Sequence, residues 1–304
     1  MAGPRTASFR RLEAHPAASR LVAGSFTNAT GTLTYKGYLP RIARRHPALF
    51  VMLHGAMQSA DEFASITHMN EVADEYGALV LYPEQSTWAH PLMCWNWYDR
   101  EHQFADGGEP ALIAGATRQF CALHGVSLRH VYVAGMSAGG AMAVILGAVY
   151  PELFAAVGVH SGLPAGAASD WLSALHAMTS GPMTPRDDSG GLWAGERSAV
   201  RTIAFHGDRD TTVHPANGHA ILDQACHSGP DLPPSGSLTS ERFRTAGGGA
   251  VTRVTRSEDR GVSLAELWII HGGDHVWSGG GEGASDSGPG PDASREMARF
   301  FLQH

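Results

Sequence analysis

The chain has 304 residues, a formal net charge of −7, 43% hydrophobic residues and 17% charged ones. That length carries one large α/β domain or two small ones and can bury a sizeable core. The acidic balance excludes a generally basic nucleic-acid binder, and the 3 cysteines exclude a disulfide framework.

Residues 1–30 are expected to form an N-terminal extension and residues 31–304 a single catalytic-sized domain. Arg5, Arg10 and Arg11 are not followed by an apolar h-region, so the chain as written is expected to carry no signal peptide. This leaves a cytoplasmic protein, or a secreted one after removal of a leader. Thr32–Leu39 reads as a strand, and Arg41–His46 (RIARRH) as a solvated turn. Ala48–Leu53 is a wholly apolar strand ending at His54-Gly55. Ser59–Glu62 is a capping box that opens a helix running to about Tyr76. Ala78–Tyr82 is a second buried strand stopped by Pro83, and Pro110 opens a helix to about His124. His130–Ala134 is a third strand, followed by a helix over Ala138–Tyr150. Its apolar run from Ala141 is far too short to span a bilayer. Phe154–His160 and Thr202–His206 read as strands with a helix between them. Glu266–His271 is the last strand and Pro291–Leu302 the last helix. The stretches 181–191, 227–249 and 278–290 are rich in Gly, Pro and Ser and read as surface excursions. Strands apolar on both faces, alternating with helices, imply an α/β fold: a doubly wound, mostly parallel sheet with helices on both faces.

Gly135-Met136-Ser137-Ala138-Gly139 matches G-x-S-x-G directly between an apolar strand and a helix. Such a turn holds its Ser in a strained backbone, and only small neighbours let strand and helix approach so closely. A Ser hydroxyl needs a base to become nucleophilic, and an acid and a base follow the Ser in chain order. His275, in the Gly-rich loop after the last strand, is the candidate base. Asp208 and Asp210, in the loop after Thr202–Phe205, are both candidates for the carboxylate that orients it. His160, His206 and His271 end apolar strands and read as packing or loop-bonding residues. The backbone N–H groups of Ala56 and Ala138 are the candidate oxyanion donors. Trp95, in Cys94-Trp95-Asn96-Trp97-Tyr98, reads equally as core packing or as an aromatic wall for an acyl chain. Trp277, two residues after His275, is the stronger candidate for substrate contact. No C-x-x-C pair suggests a metal site.

With these residues in view the chain resembles the esterase family of poly(3-hydroxybutyrate) depolymerases, related to feruloyl and acetylxylan esterases. The resemblance runs through LHGAMQSADEF, LVLYPEQ, CWNWYD, GGEPALIAGATRQ, HVYVAGMSAGGAMA, FAAVGVHSGLP, FHGDRDTTVHPANG, GGDHVWSGG and GPDASREMARFF, in order from Leu53 to Phe301. It implies an α/β-hydrolase fold with no metal or organic cofactor, Ser137 as nucleophile, Asp210 as acid and His275 as base. The implied reaction is hydrolysis of short hydroxyalkanoate esters through an acyl-enzyme. The expected partners are small esters, hydroxyalkanoate oligomers or polyesters, with no nucleic acid and no membrane span. Ala56 stands where many members carry Cys, and Ser278 where members often carry Pro. The chain as written stops at His304 without a polymer-binding module, which favours soluble oligomers, amorphous polymer or small esters. The same triad fits a feruloyl or acetylxylan esterase, and a non-catalytic binding scaffold is the remaining alternative.

Overall fold

The computed structural model describes residues 19–182, 200–226, 237–257, 263–279 and 290–303. Its centre is a set of short, mostly buried strands: β3 (Leu49–Leu53), β4 (Leu79–Glu84), β5 (Val131–Met136), β6 (Ala156–His160), β7 (Arg201–Gly207) and β10 (Ser263–Ile270). They pair in parallel in the order β4-β3-β5-β6-β7-β10. Strand alternation divides their side chains between two cores. Leu49, Val51, Leu53, Val131 and Val133 join one apolar cluster, and Phe50, Met52, Tyr132 and Ala134 the other. Helices α3 (Gly108–His124), α4 (Ala138–Val149), α5 (Trp171–Ser180) and α6 (Ala216–Cys226) contribute to the first cluster. Helices α1 (Ala60–Thr67), α2 (Met69–Tyr76) and α7 (Ala293–Leu302) contribute to the second. Both faces of the sheet are therefore covered, as the apolar strands require.

Four further strands extend the sheet. β1 (Arg20–Asn28) and β2 (Gly31–Leu39) add antiparallel beside β4, while β9 (Ala250–Ser257) and β8 (Ser237–Arg244) add antiparallel beside β10. Residues 20–28 are thus a sheet strand and not part of an extension. Their alternate positions stay exposed, so no continuous apolar run marks them. β8 lies inside the stretch read as a loop, because nearly every residue of it faces solvent. The loop readings of 183–191, 227–236 and 280–289 fall outside the described residues. The helix expected from Ser59 to Tyr76 is two helices. Its capping box forms, with Ser59 Oγ accepting from Glu62 N at 3.2 Å and Glu62 Oε2 accepting from Ser59 N at 2.7 Å. Thr67 Oγ1 then donates back to Phe63 O, and His68 turns into the left-handed region at φ 51°, ending α1 and opening α2. Pro83 does not stop β4, because it lies past Leu81, the last β4 residue paired with β3. Among the described residues no helix is long and apolar enough to cross a membrane.

Glycines let the central strands and helix α4 touch through backbone. A Cβ on Gly139 would lie 2.1 Å from Leu53 O, and one on Gly135 would lie 2.3 Å from Gly139 O. The Gly139→Ala variant must push β3 and α4 apart. It is expected to cost about 3 kcal/mol and lower the melting temperature by about 5–10 °C in a thermal unfolding experiment.

Candidate active site

The carboxyl ends of β3, β5, β6, β7 and β10 meet at one edge of the sheet, and the chemistry-bearing residues sit there. Ser137 occupies the turn between β5 and α4 with φ 54° and ψ −120°, a conformation L-residues rarely adopt. Its N–H donates to His160 O at 2.9 Å, and Ala141 N closes the first α4 bond onto Ser137 O at 2.9 Å. Ser137 is half-buried among buried neighbours, and its hydroxyl makes no hydrogen bond among the described residues. The strain is held in place by the glycine packing behind it.

Asp208 and Asp210 part company. Asp210 is buried, and its Oδ2 accepts from His275 Nδ1 at 2.7 Å. Its Oδ1 accepts from Thr212 N at 2.9 Å and Val213 N at 2.8 Å. Burial alone would raise the Asp210 pKa; the nearby His206 and His275 rings and the Val213 N–H outweigh it and hold the carboxyl well below its ordinary range. Asp208 instead accepts from His271 Nδ1 at 2.8 Å and from Gly272 N at 2.7 Å, and His271 Nε2 lies 2.8 Å from Thr252 Oγ1. Together with Arg209 N donating to Gly273 O at 3.0 Å, this second pair stitches the loops after β7 and β10 to each other. Asp210 holds the His275 ring, and Asp208 holds the loop that carries it. His275 Nδ1–H is committed to Asp210, which leaves its Nε2 unprotonated and without a hydrogen bond among the described residues.

The loop after β3 lies against the Ser137 turn: a Cβ on Gly55 would be 3.6 Å from Ser137 Cβ. The Ala56 N–H makes no hydrogen bond among the described residues, and Ala138 N–H heads α4 with no acceptor one turn back. A buried network holds this loop. His54 Nδ1–H donates to Gly55 O at 2.8 Å, while Nε2 accepts from Gln85 N at 3.0 Å, which fixes the tautomer. The Gln85 side chain donates to Glu109 Oε1, and Glu109 also accepts from Asn96 N at 2.8 Å and Asn96 Nδ2 at 2.6 Å. Sequence reasoning missed Gln85 and Glu109 as supports. The signal was a polar residue at the end of an apolar strand and an acid at the first turn of α3.

The expectation that Trp95 and Trp277 line a substrate cleft is corrected. Trp95 is 0% exposed, and its Nε1 donates to His54 O at 3.0 Å, bracing the loop from beneath. Trp277 is 2% exposed, packed edge-on against Phe63 and stacked on His160, with Nε1 donating to Ser294 Oγ at 3.2 Å. An indole gains more from burial with its N–H paired than from standing open in a cleft. The apolar side chains exposed beside the Ala56 loop are Met57 and Leu92, whose backbones are joined by Met57 N to Leu92 O at 2.7 Å.

His54 and His160 give the site a pH signature. Burial lowers both pKa values from the ordinary 6.5, that of His160 to about 3. In the unfolded chain the rings protonate near pH 6.5, whereas in the folded chain they stay neutral further down. The unfolded state therefore binds more protons below pH 6.5 and stability falls as pH drops, for the His160 ring down towards pH 3 by up to about 1.4 kcal/mol per pH unit, with His54 acting in the same direction. The depressed Asp210 pKa adds a loss in the same direction below about pH 4. The melting temperature is expected to fall steadily between pH 6.5 and 4.5, and a flat profile there would contradict the buried neutral rings.

A mostly parallel sheet covered on both faces, with its reactive groups at the strand ends, is an α/β-hydrolase fold. The profile of the family described as Esterase PHB depolymerase matches residues 33–228, and the chain belongs to that family. It is 31% identical over 217 residues to acetylxylan esterase A of Talaromyces purpureogenus, covering 67% of this chain and 55% of that protein. It is 28% identical over 257 residues to poly(3-hydroxyalkanoate) depolymerase C of Paucimonas lemoignei, covering 83% of this chain and 60% of that protein. The chain thus spans less than two thirds of the length of these relatives. The solved acetyl xylan esterase from Aspergillus awamori shares the fold with a TM-score of 0.67 at 19% identity, over 92% of this chain and 98% of that one.

Proposed function

We propose that the chain is a serine esterase that hydrolyses short hydroxyalkanoate esters, poly(3-hydroxybutyrate) or its oligomers, through an acyl-enzyme. The observation that carries the reading is the Asp210–His275 hydrogen bond of 2.7 Å at the same sheet edge as the strained Ser137 turn. Ser137 Oγ attacks the ester carbonyl while His275 Nε2 takes its proton. Asp210 keeps the ring in the Nδ1–H tautomer and stabilises the imidazolium that forms. The negative oxygen of the tetrahedral intermediate accepts from Ala56 N–H and Ala138 N–H, each such donor being worth about 3 kcal/mol. His275 then protonates the leaving alcohol. A water, deprotonated by the same nitrogen, releases the acid and restores Ser137. The hydroxyl meets the base without a preformed hydrogen bond, as is common before substrate is bound.

Similarity to the Talaromyces acetylxylan esterase favours a second reading with the same chemistry, in which the acyl group is acetyl or feruloyl on a polysaccharide. A fluorophosphonate probe followed by peptide mapping tests the chemistry: label on Ser137 is expected, and a folded, unlabelled protein would favour a binding scaffold. Product analysis on hydroxybutyrate oligomers, acetylated xylan and methyl ferulate tests the acyl group. Fastest release of hydroxybutyrate is expected, and preference for either of the others would replace the first reading with the second.

A further inference from the structure

We propose that His160 is a positioning residue: through Ser278 it ties the loop carrying His275 to the turn carrying Ser137, and so sets how well base and hydroxyl meet. The inference rests on the esterase reading and adds a group that reading does not use. His160 ends β6 between the strands that bring the nucleophile and the acid, and it is bonded in both directions. Its carbonyl accepts from Ser137 N at 2.9 Å. Its ring Nε2 accepts from Ser278 N at 3.1 Å and lies 3.3 Å from Ser278 Oγ. Ser278 is only three residues beyond His275, so one residue fixes both partners of the proton transfer.

The ring itself is tightly specified. It is 0% exposed, stacked on Trp277 at 5.1 Å and near-parallel to Phe205 at 5.9 Å. A backbone N–H aimed at Nε2 requires that nitrogen to be unprotonated, so the proton sits on Nδ1, which faces Ser161 Oγ at 3.3 Å. Ser161 also has a positive φ, 50°, and donates its own N–H to Phe205 O at 2.9 Å, so the turn that aims the ring is itself pinned. Simple packing would be served by an aromatic hydrocarbon at this position. The acceptor nitrogen and its chain-distant N–H partner are what a packing role leaves unexplained. In this chain Ser278 supplies that N–H, which the proline often found at this position in the family would lack.

The test uses a soluble hydroxybutyrate dimer ester, with kcat and KM measured separately and the rate of Ser137 labelling by fluorophosphonate as a second readout. His160→Phe keeps the stacked ring and removes the acceptor; Ser278→Pro removes the N–H and the hydroxyl; Ser278→Ala keeps the N–H. The first two are expected to lower kcat by about 10–100-fold with KM nearly unchanged, and to slow labelling in proportion. Ser278→Ala should stay within about threefold of the parent, since it retains the N–H bond. His160→Gln, whose amide oxygen can accept that N–H, should recover most of the loss. Wild-type kcat in His160→Phe would overturn the proposal, as would equal loss in the Phe and Gln variants. If His160→Phe fails to fold, Ser278→Pro against Ser278→Ala decides, equal rates counting against it. Ser137→Ala in the same assay separates the two levels: turnover there sinks the esterase reading, whereas a dead Ser137→Ala beside a fully active His160→Phe sinks only this one.

Discussion

Replacing Ser137 by Ala is expected to lower kcat for any hydrolysed ester by about 10⁴-fold or more, with the circular dichroism spectrum unchanged. The hydroxyl makes no hydrogen bond among the described residues, so deleting it removes the nucleophile without orphaning a partner. The backbone carries a separate consequence. At φ 54° an Ala side chain is strained as Ser is, while Gly is not. Ser137→Gly should therefore be equally inactive yet melt above Ser137→Ala, by about 1 kcal/mol of stability. Assay and thermal unfolding on the pair separate the chemistry of the side chain from the strain of the turn. Residual turnover within tenfold of the parent in either variant would remove Ser137 from the mechanism.

The second large effect distinguishes two acids that are two residues apart. Asp210→Asn keeps an oxygen able to accept from Thr212 and Val213, so the loop should hold. Its amide cannot hold His275 in the Nδ1–H tautomer, and kcat is expected to drop by about 10⁴-fold. Asp208→Asn loosens the bonds to His271 and Gly272, which tether the loop but touch no reacting atom. It should cost about 1–3 kcal/mol of stability and less than tenfold in kcat. Equal kcat for the two variants would contradict the division of labour between Asp208 and Asp210.

The centre of the molecule was legible in the chain. Leu49–Leu53 and Val131–Met136 are uninterrupted apolar runs, and a strand buried on both faces leaves no other pattern. Gly135, Ser137 and Gly139 announced the turn, because close backbone contact admits no side chain there. The edges were not legible. β1 and β8 present mostly exposed residues, so solvent chose their composition and erased the apolar signal. The break between α1 and α2 turns on one left-handed residue, His68, inside a periodic run that otherwise reads as a single helix. Trp95 was left open and Trp277 misread because an aromatic residue beside such a loop has the same sequence appearance whether it lines a cleft or props the loop from below. The residue types alone leave Asp208 and Asp210 open, and only the family resemblance singles out Asp210; in the structure each carboxylate bonds a different ring, His271 and His275.

The glycine contacts behind the reactive loops have a bearing on how such a protein diversifies. Gly139 meets the Leu53 carbonyl and Gly207 meets the Gly273 carbonyl with no side chain between them. The spacing of the reacting groups is thus inherited from main-chain geometry, which is the same whatever amino acids surround it. Outer loops such as the one bearing Met57 can drift through mutation while the turns that carry Ser137, Asp210 and His275 stay in register.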